Sequence, residues 1–202
     1  METEATVFVV DDDPAAIRLV TELVGAIGLR AQSWPSADAF LAAYTPTGPG
    51  CLVLDVRMPG MSGLQLQKEL NQQGAMLPII LITGHADVRM AVEAMKAGAF
   101  EFFEKPFRTQ DLCDKIHEAV KLDQENWQRR KERENAESLI GSLTPAERQV
   151  MELVVDGKTN KAIAAELGIS LRAVEDRRAR MMKRLQAKSR AELLRLLKLT
   201  VF

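Results

Sequence analysis

Hydrophobic residues in this chain follow two rhythms. Short apolar runs occur at Val7 to Val10, Cys51 to Leu54, Pro78 to Ile82 and Ala99 to Phe103. Between and after them lie stretches in which apolar positions recur with a period near 3.6: Ile17 to Ile27, Ala37 to Tyr44, Leu64 to Leu70, Val88 to Ala97 and Leu112 to Val120. Unbroken apolar runs suit strands buried on both faces, and the longer period suits the helices that cover them. The alternation predicts five strands and five helices in a doubly wound parallel sheet. Punctuation agrees: Ser62 with Gln65 forms a capping box ahead of the third helix, and Gly98 closes the fourth.

Polar chemistry stands where these runs end. Val7 to Val10 leads into Asp11, Asp12 and Asp13; Cys51 to Leu54 leads into Asp55 and then a turn containing Pro59, Gly60 and Gly63. The third run delivers Thr83-Gly84, and the last delivers Glu104-Lys105-Pro106. Taken singly, each has an ordinary explanation; an acidic triplet before Pro14 is a helix cap, for instance. Four signals in this order place acids, a hydroxyl and an ammonium together at the carboxyl ends of strands, where open α/β sheets build their sites. Crowded carboxylates would raise one another's pKa unless a hard divalent cation sat among them.

With these motifs, residues 5 to 122 resemble the receiver domain of two-component response regulators. The resemblance implies a flavodoxin-like fold, a phosphoacceptor at Asp55 and a sensor histidine kinase as phosphodonor. It implies Mg2+ held by Asp12, Asp55 and the Arg57 carbonyl, with Asp11 assisting through water. Lys105 and Thr83 would contact phosphoryl oxygens, and Phe102 would turn inward with Thr83, although core packing explains an aromatic there equally well. It further implies a cis Lys105-Pro106 bond and a dimerisation face on the fourth helix, last strand and fifth helix, with Val88, Val92, Met95, Lys96, Glu101 and Asp111 as candidates.

Charge reveals a second part. The formal net charge is -1, yet residues 1–140 hold 14 Lys and Arg against 21 Asp and Glu, while residues 141–202 hold 13 against 7. A basic C-terminal segment points to nucleic acid. The segment Lys121 to Glu137 is charged and lacks Gly and Pro, so the fifth helix can continue through it as a rod along Leu112, Ile116, Val120 and Trp127 until Gly141. The expected organisation is residues 1–122, a helical linker over 123–140, and a second domain over 141–202.

That second domain reads as four short helices. Thr144-Pro145-Ala146-Glu147 and Ser189 with Glu192 are capping boxes, and Gly157 and Gly168 close helices. Thr159 to Leu167, the turn Gly168-Ile169-Ser170 and Leu171 to Gln186 have helix-turn-helix spacing. Residues 139 to 202 resemble the DNA-binding domain of the LuxR and FixJ type. On a helical wheel, Leu171, Val174, Met181, Met182 and Leu185 share a core arc, whereas Arg172, Glu175, Asp176, Ala179 and Lys183 share one facing the major groove. Arg177, Arg180 and Arg184 flank that arc and suit phosphates, as do Asn160 and Lys161 near the preceding helix start. Arg178 falls inside the apolar arc and is expected to pair with an acid on an earlier helix, Glu147. Many family members carry Thr and His where this chain has Ala173 and Arg177, so the family's base preferences do not transfer.

Cys51 and Cys113 lack metal-ligand spacing and are expected as small buried hydrophobes. No signal peptide or long apolar run occurs, which predicts a cytoplasmic protein without membrane contact. Together with the two resemblances, these features predict a transcription regulator that binds double-stranded DNA and whose phosphorylation controls either dimerisation, giving a homodimer, or release of the basic domain. Two rival readings remain at this stage. One is an adaptor acting through protein contacts; the other is a small-molecule phosphatase or phosphotransferase, for which no separate general acid is evident.

Overall fold

The computed structural model describes residues 4–85 and 87–200. The chain divides into two units, Met1–Trp127 and Gln128–Phe202. In the first, strands β1 (Thr6–Val10), β2 (Arg30–Trp34), β3 (Gly50–Asp55), β4 (Ile79–Thr83) and β5 (Glu101–Glu104) alternate with helices α1 (Pro14–Ala26), α2 (Ala37–Ala43), α3 (Gly63–Gln72), α4 (Val88–Lys96) and α5 (Thr109–Gly141). The sheet order is β2-β1-β3-β4-β5 and every pairing is parallel. This is the flavodoxin-like order, with β1 and β3 adjacent at the switch point.

Strand side chains alternate between two apolar layers. Phe8, Leu52, Leu54, Ile79 and Leu81 pack with Phe40, Leu66, Leu70 and Ala94 of α2, α3 and α4. Val7, Val9, Cys51, Val53, Ile80 and Ile82 pack on the other face with Val20, Val24, Leu112 and Ile116 of α1 and α5. Burial on both sides explains the unbroken apolar runs of β3 and β4. The edge strand β2, Arg-Ala-Gln-Ser-Trp, has no such run, because three of its five side chains are exposed. Phe102 is half-buried and packs against the α2–α4 layer.

Helix α5 runs without interruption over 33 residues, through the segment expected to be a linker. Asp123, assigned from the sequence to the start of that linker, is buried and accepts the Gly50 N–H at 2.8 Å. It is thereby tied to the first unit. Among the described residues, no helix is long and apolar enough to cross a membrane.

In the second unit, α6 (Pro145–Val155), α7 (Asn160–Leu167), α8 (Leu171–Arg184) and α9 (Arg190–Lys198) enclose a core of Val150, Met151, Val154, Ile163, Val174, Met181, Leu185 and Leu193. Thr144 with Glu147 is a complete capping box and Gly168 adopts a left-handed conformation that closes α7, both as expected. The box expected at Ser189 is only half made: Ser189 Oγ accepts the Glu192 N–H, while the Glu192 carboxylate accepts from the Lys188 N–H one residue earlier.

Two core assignments need correction. Leu171 shares the angular range of the apolar arc but is 46% exposed, because it is the first residue of α8 and lies beyond the neighbouring helices. Arg178 does not pair with Glu147. Its Nη1 donates to Asn160 Oδ1 at 2.6 Å, while the Glu147 carboxylate lies 3.5 Å from Arg184 and 4.0 Å from Arg180. Glu147 is held by the Thr144 backbone and hydroxyl at the α6 start, which sets it beside the last turns of α8. Arg178 lies earlier on α8, against the first residue of α7.

Candidate functional site

Parallel register brings the carboxyl ends of β1, β3, β4 and β5 to one edge. Asp55 ends β3 and Asp11 follows β1, and each retains only 7% exposure. Lys105, just beyond β5, donates to both: its Nζ lies 2.9 Å from Asp55 Oδ1 and 3.0 Å from Asp11 Oδ2. The Lys105-Pro106 bond is cis. Asp55 Oδ2 accepts the Arg57 N–H at 2.7 Å, and Asp11 Oδ1 accepts the Asp13 N–H at 2.9 Å. Thr83 ends β4 fully buried, and its hydroxyl shares hydrogen bonds with the His85 backbone at 3.3 and 3.4 Å.

The electrostatics follow from two acids sharing one ammonium. Burial pushes the Asp11 carboxyl above its ordinary value; the Asp13 N–H and Lys105 oppose this, and the Asp55 charge adds to it. Burial alone would lower the Lys105 ammonium, but hydrogen bonds and charge from Asp55 and Asp11 outweigh it and leave Lys105 above its ordinary value. Lys105 thus gains from both acids, whereas Asp11 recovers only part of its burial cost.

The donor set suits a magnesium ion. Among the described residues no three His, Cys, Asp or Glu side chains converge as a metal cluster, and Asp12 is exposed. Mg2+ does not require such a cluster, since it keeps several waters and takes only one or two carboxylates with phosphate oxygens. Asp11, disfavoured as an anion by burial and further by the Asp55 charge, is the kind of group a divalent cation relieves.

Asp11, Asp13, Asp55 and Lys105 line a cavity of about 390 Å³ whose other wall is apolar, including Ala15, Ala16, Leu19, Val20, Pro106 and Phe107. Phe102 does not line it. Asp13 caps α1, as expected of the acidic triplet before Pro14, by accepting from Ala15 N at 2.8 Å; its own N–H also orients Asp11, a role the sequence does not indicate. Gly63 is more than a turn residue: a Cβ there would stand 2.3 Å from the Asp55 carbonyl oxygen.

On the α4–β5–α5 side, Val88, Val92 and Met95 are exposed at 83%, 45% and 46%, as are Lys96 and Asp111. Glu101 is half-buried, 3.8 Å from Lys115.

The second unit exposes Arg172, Glu175, Asp176, Ala179 and Lys183 along one side of α8, with Arg177 half-buried beside them. Lys161 is exposed at the start of α7, whereas Asn160 is half-buried and accepts from Arg178. Arg180 is solvent-facing, but Arg184 also donates to the Ser142 carbonyl at 2.8 Å, which gives it a role in holding α8. A basic, exposed second helix after a short glycine turn is the arrangement that enters a major groove.

Residues 7–117 match the response regulator receiver domain, and residues 141–197 match the bacterial regulatory proteins of the luxR family. Nodulation protein W of Bradyrhizobium diazoefficiens is 43% identical over 194 residues, covering 96% of this chain and 86% of that protein. The transcriptional regulatory protein FixJ of Azorhizobium caulinodans is 43% identical over 196 residues, covering 97% and 93%. Among solved structures, response regulator StyR matches with a TM-score of 0.91 at 42% identity, over 97% of this chain and 99% of that one. Full-length FixJ from B. japonicum matches with a TM-score of 0.58 at 40% identity, over 98% and 97%. The chain belongs to the response regulator transcription factors of the FixJ/LuxR type, which join a receiver domain with a phosphorylatable aspartate to a DNA-binding domain.

Proposed function

We propose that Asp55 accepts a phosphoryl group from a phosphohistidine of a sensor histidine kinase, and that the acyl phosphate controls dimerisation or release of the DNA-binding domain. A carboxylate oxygen of Asp55 attacks phosphorus, the phosphorus–nitrogen bond of the donor breaks, and the imidazole leaves. The observation that carries this reading is the Lys105 ammonium 2.9 Å from Asp55 at a strand end, with the Thr83 hydroxyl ending the neighbouring strand. Lys105 balances charge on one phosphoryl oxygen and Thr83 donates to another, so the chemistry is positioning and charge neutralisation.

Mg2+ would be held by Asp11, Asp12, Asp55 and the Arg57 carbonyl, and when bound supplies charge neutralisation to the phosphoryl oxygens. To donate to a phosphoryl oxygen, Thr83 must leave the His85 backbone, and Phe102 then moves inward behind it. Val88, Val92, Met95, Lys96, Glu101 and Asp111 form the dimer face. Two copies, in the cytoplasm, then read a roughly two-fold DNA site with Arg172, Glu175, Asp176, Ala179 and Lys183, while Lys161, Arg177 and Arg180 contact phosphates.

Sedimentation of the full chain with Mg2+, with and without beryllofluoride as phosphoryl mimic, tests the assembly step. The expected result is a monomer that becomes a dimer, with no change in Asp55→Asn. An unaltered mass with the mimic bound would remove dimerisation from the switch.

A further inference from the structure

Arg178 and Asn160 join the two helices of the helix-turn-helix in a way that assigns a task to each. Arg178 leaves α8 between the buried Val174 and Met181, so its stem lies along the core stripe. Its guanidinium is half-buried and donates to Asn160 Oδ1 at 2.6 Å. A primary amide has one accepting oxygen and one donating nitrogen. With the oxygen engaged by a cation that can only donate, Nδ2 is the end of Asn160 left for a ligand. Both side chains line a groove of about 330 Å³ together with Glu175, Ala179, Lys188 and Ser189. Nδ2 offers two donors and no acceptor, the complement of a phosphate oxygen.

We propose that Arg178 is a positioning residue for DNA binding: it fixes the Asn160 amide so that Nδ2 donates to a backbone phosphate, without touching DNA itself. The inference rests on the assignment of the second unit as the DNA-binding domain. It requires no operator, because a phosphate contact is read by any duplex.

The test measures binding of the full chain to a mixed-sequence DNA duplex across a salt series, with thermal unfolding of each variant alongside. Asn160→Asp keeps an oxygen for Arg178 but deletes both donors, so its midpoint should not fall while affinity drops by about tenfold or more. Arg178→Met should weaken binding by a similar factor with an unchanged slope of log affinity against log salt. Arg178→Lys, which can still donate to Asn160 Oδ1, should recover most of that loss.

Wild-type affinity in Asn160→Asp would overturn the proposal. So would a salt slope shallower by about 0.9 in Arg178→Met, the mark of a lost direct phosphate contact. If Arg178→Met does not fold, Asn160→Asp and Arg178→Lys carry the test. Absence of duplex binding by the wild-type chain at every salt concentration would overturn the DNA-binding assignment as well, which separates the two failures.

Discussion

Gly63 and Asp55 are in backbone contact: a Cβ on Gly63 would stand 2.3 Å from the Asp55 carbonyl oxygen and 3.0 Å from the Val56 Cα. The Gly63 N–H also donates to the Val56 carbonyl at 3.0 Å, closing the loop that carries Arg57 over the carboxylate. Gly63→Ala must therefore push α3 away from the end of β3. The expected loss is about 1–3 kcal/mol of stability in the first unit, read by chemical denaturation. Wild-type stability in the variant would show that this contact relaxes freely.

Asp11 ionises at a cost. Its folded-state pKa is raised mainly by burial, so the stability linked to its protonated form is fully present below the ordinary value of 3.8 and is lost as pH rises through the higher folded value. Asp11→Asn removes this cost. At neutral pH and without divalent cations, the variant should melt above the wild type, and the difference should vanish below pH 3.8. Added Mg2+ should narrow the gap by stabilising the wild type more than the variant. A variant that melts lower at neutral pH would mean that the Lys105 pairing outweighs burial.

Much of this site is legible in the sequence, because strand ends in a parallel sheet fall at one edge and the apolar runs of β1, β3, β4 and β5 mark where they end. Asp11, Asp55, Thr83 and Lys105 follow from that rule alone. Five strands are expected, but the position of β2 is not legible, since an edge strand with three exposed side chains has no apolar run to announce it. Arg178 shows another limit. Its angular position on the wheel gave its burial correctly, but which neighbour meets it depends on how far along α8 each helix end lies, and that is a tertiary fact. Leu171 fails for the same reason, because a wheel has no axial coordinate. Gly63 was read as a turn residue because sequence does not distinguish a glycine needed for its dihedral from one needed for its missing Cβ.

Glu147 links the α6 cap to α8, and its charge state should be visible in acid stability. The Thr144 N–H lowers its pKa against the effect of burial, with further lowering from the Thr144 hydroxyl, Arg184 and Arg180. A lowered carboxyl stabilises above its ordinary value of 4.5, and that contribution is lost as pH falls through the folded value. Calorimetry should show the second unit losing midpoint below pH 4.5, with a flatter acid limb in Glu147→Gln. An identical acid limb in both proteins would assign the loss to another group.

Asp123 accepts the Gly50 N–H at 2.8 Å in a buried setting. Asp123→Ala leaves that donor without its partner, and an unsatisfied buried group costs about 1–3 kcal/mol. Denaturation of the full chain should show the loss in the first unit, with the second unit unaffected. Wild-type stability would mean that another acceptor reaches Gly50.

Phosphorylation of Asp55 itself is read by mass spectrometry. The full chain would be incubated with Mg2+ and an acyl phosphate donor, then its intact mass and peptides recorded. A single added phosphoryl group on the peptide containing Asp55, absent from Asp55→Asn, is the predicted result. A phosphoryl group on any other residue, or its persistence in Asp55→Asn, would contradict the account.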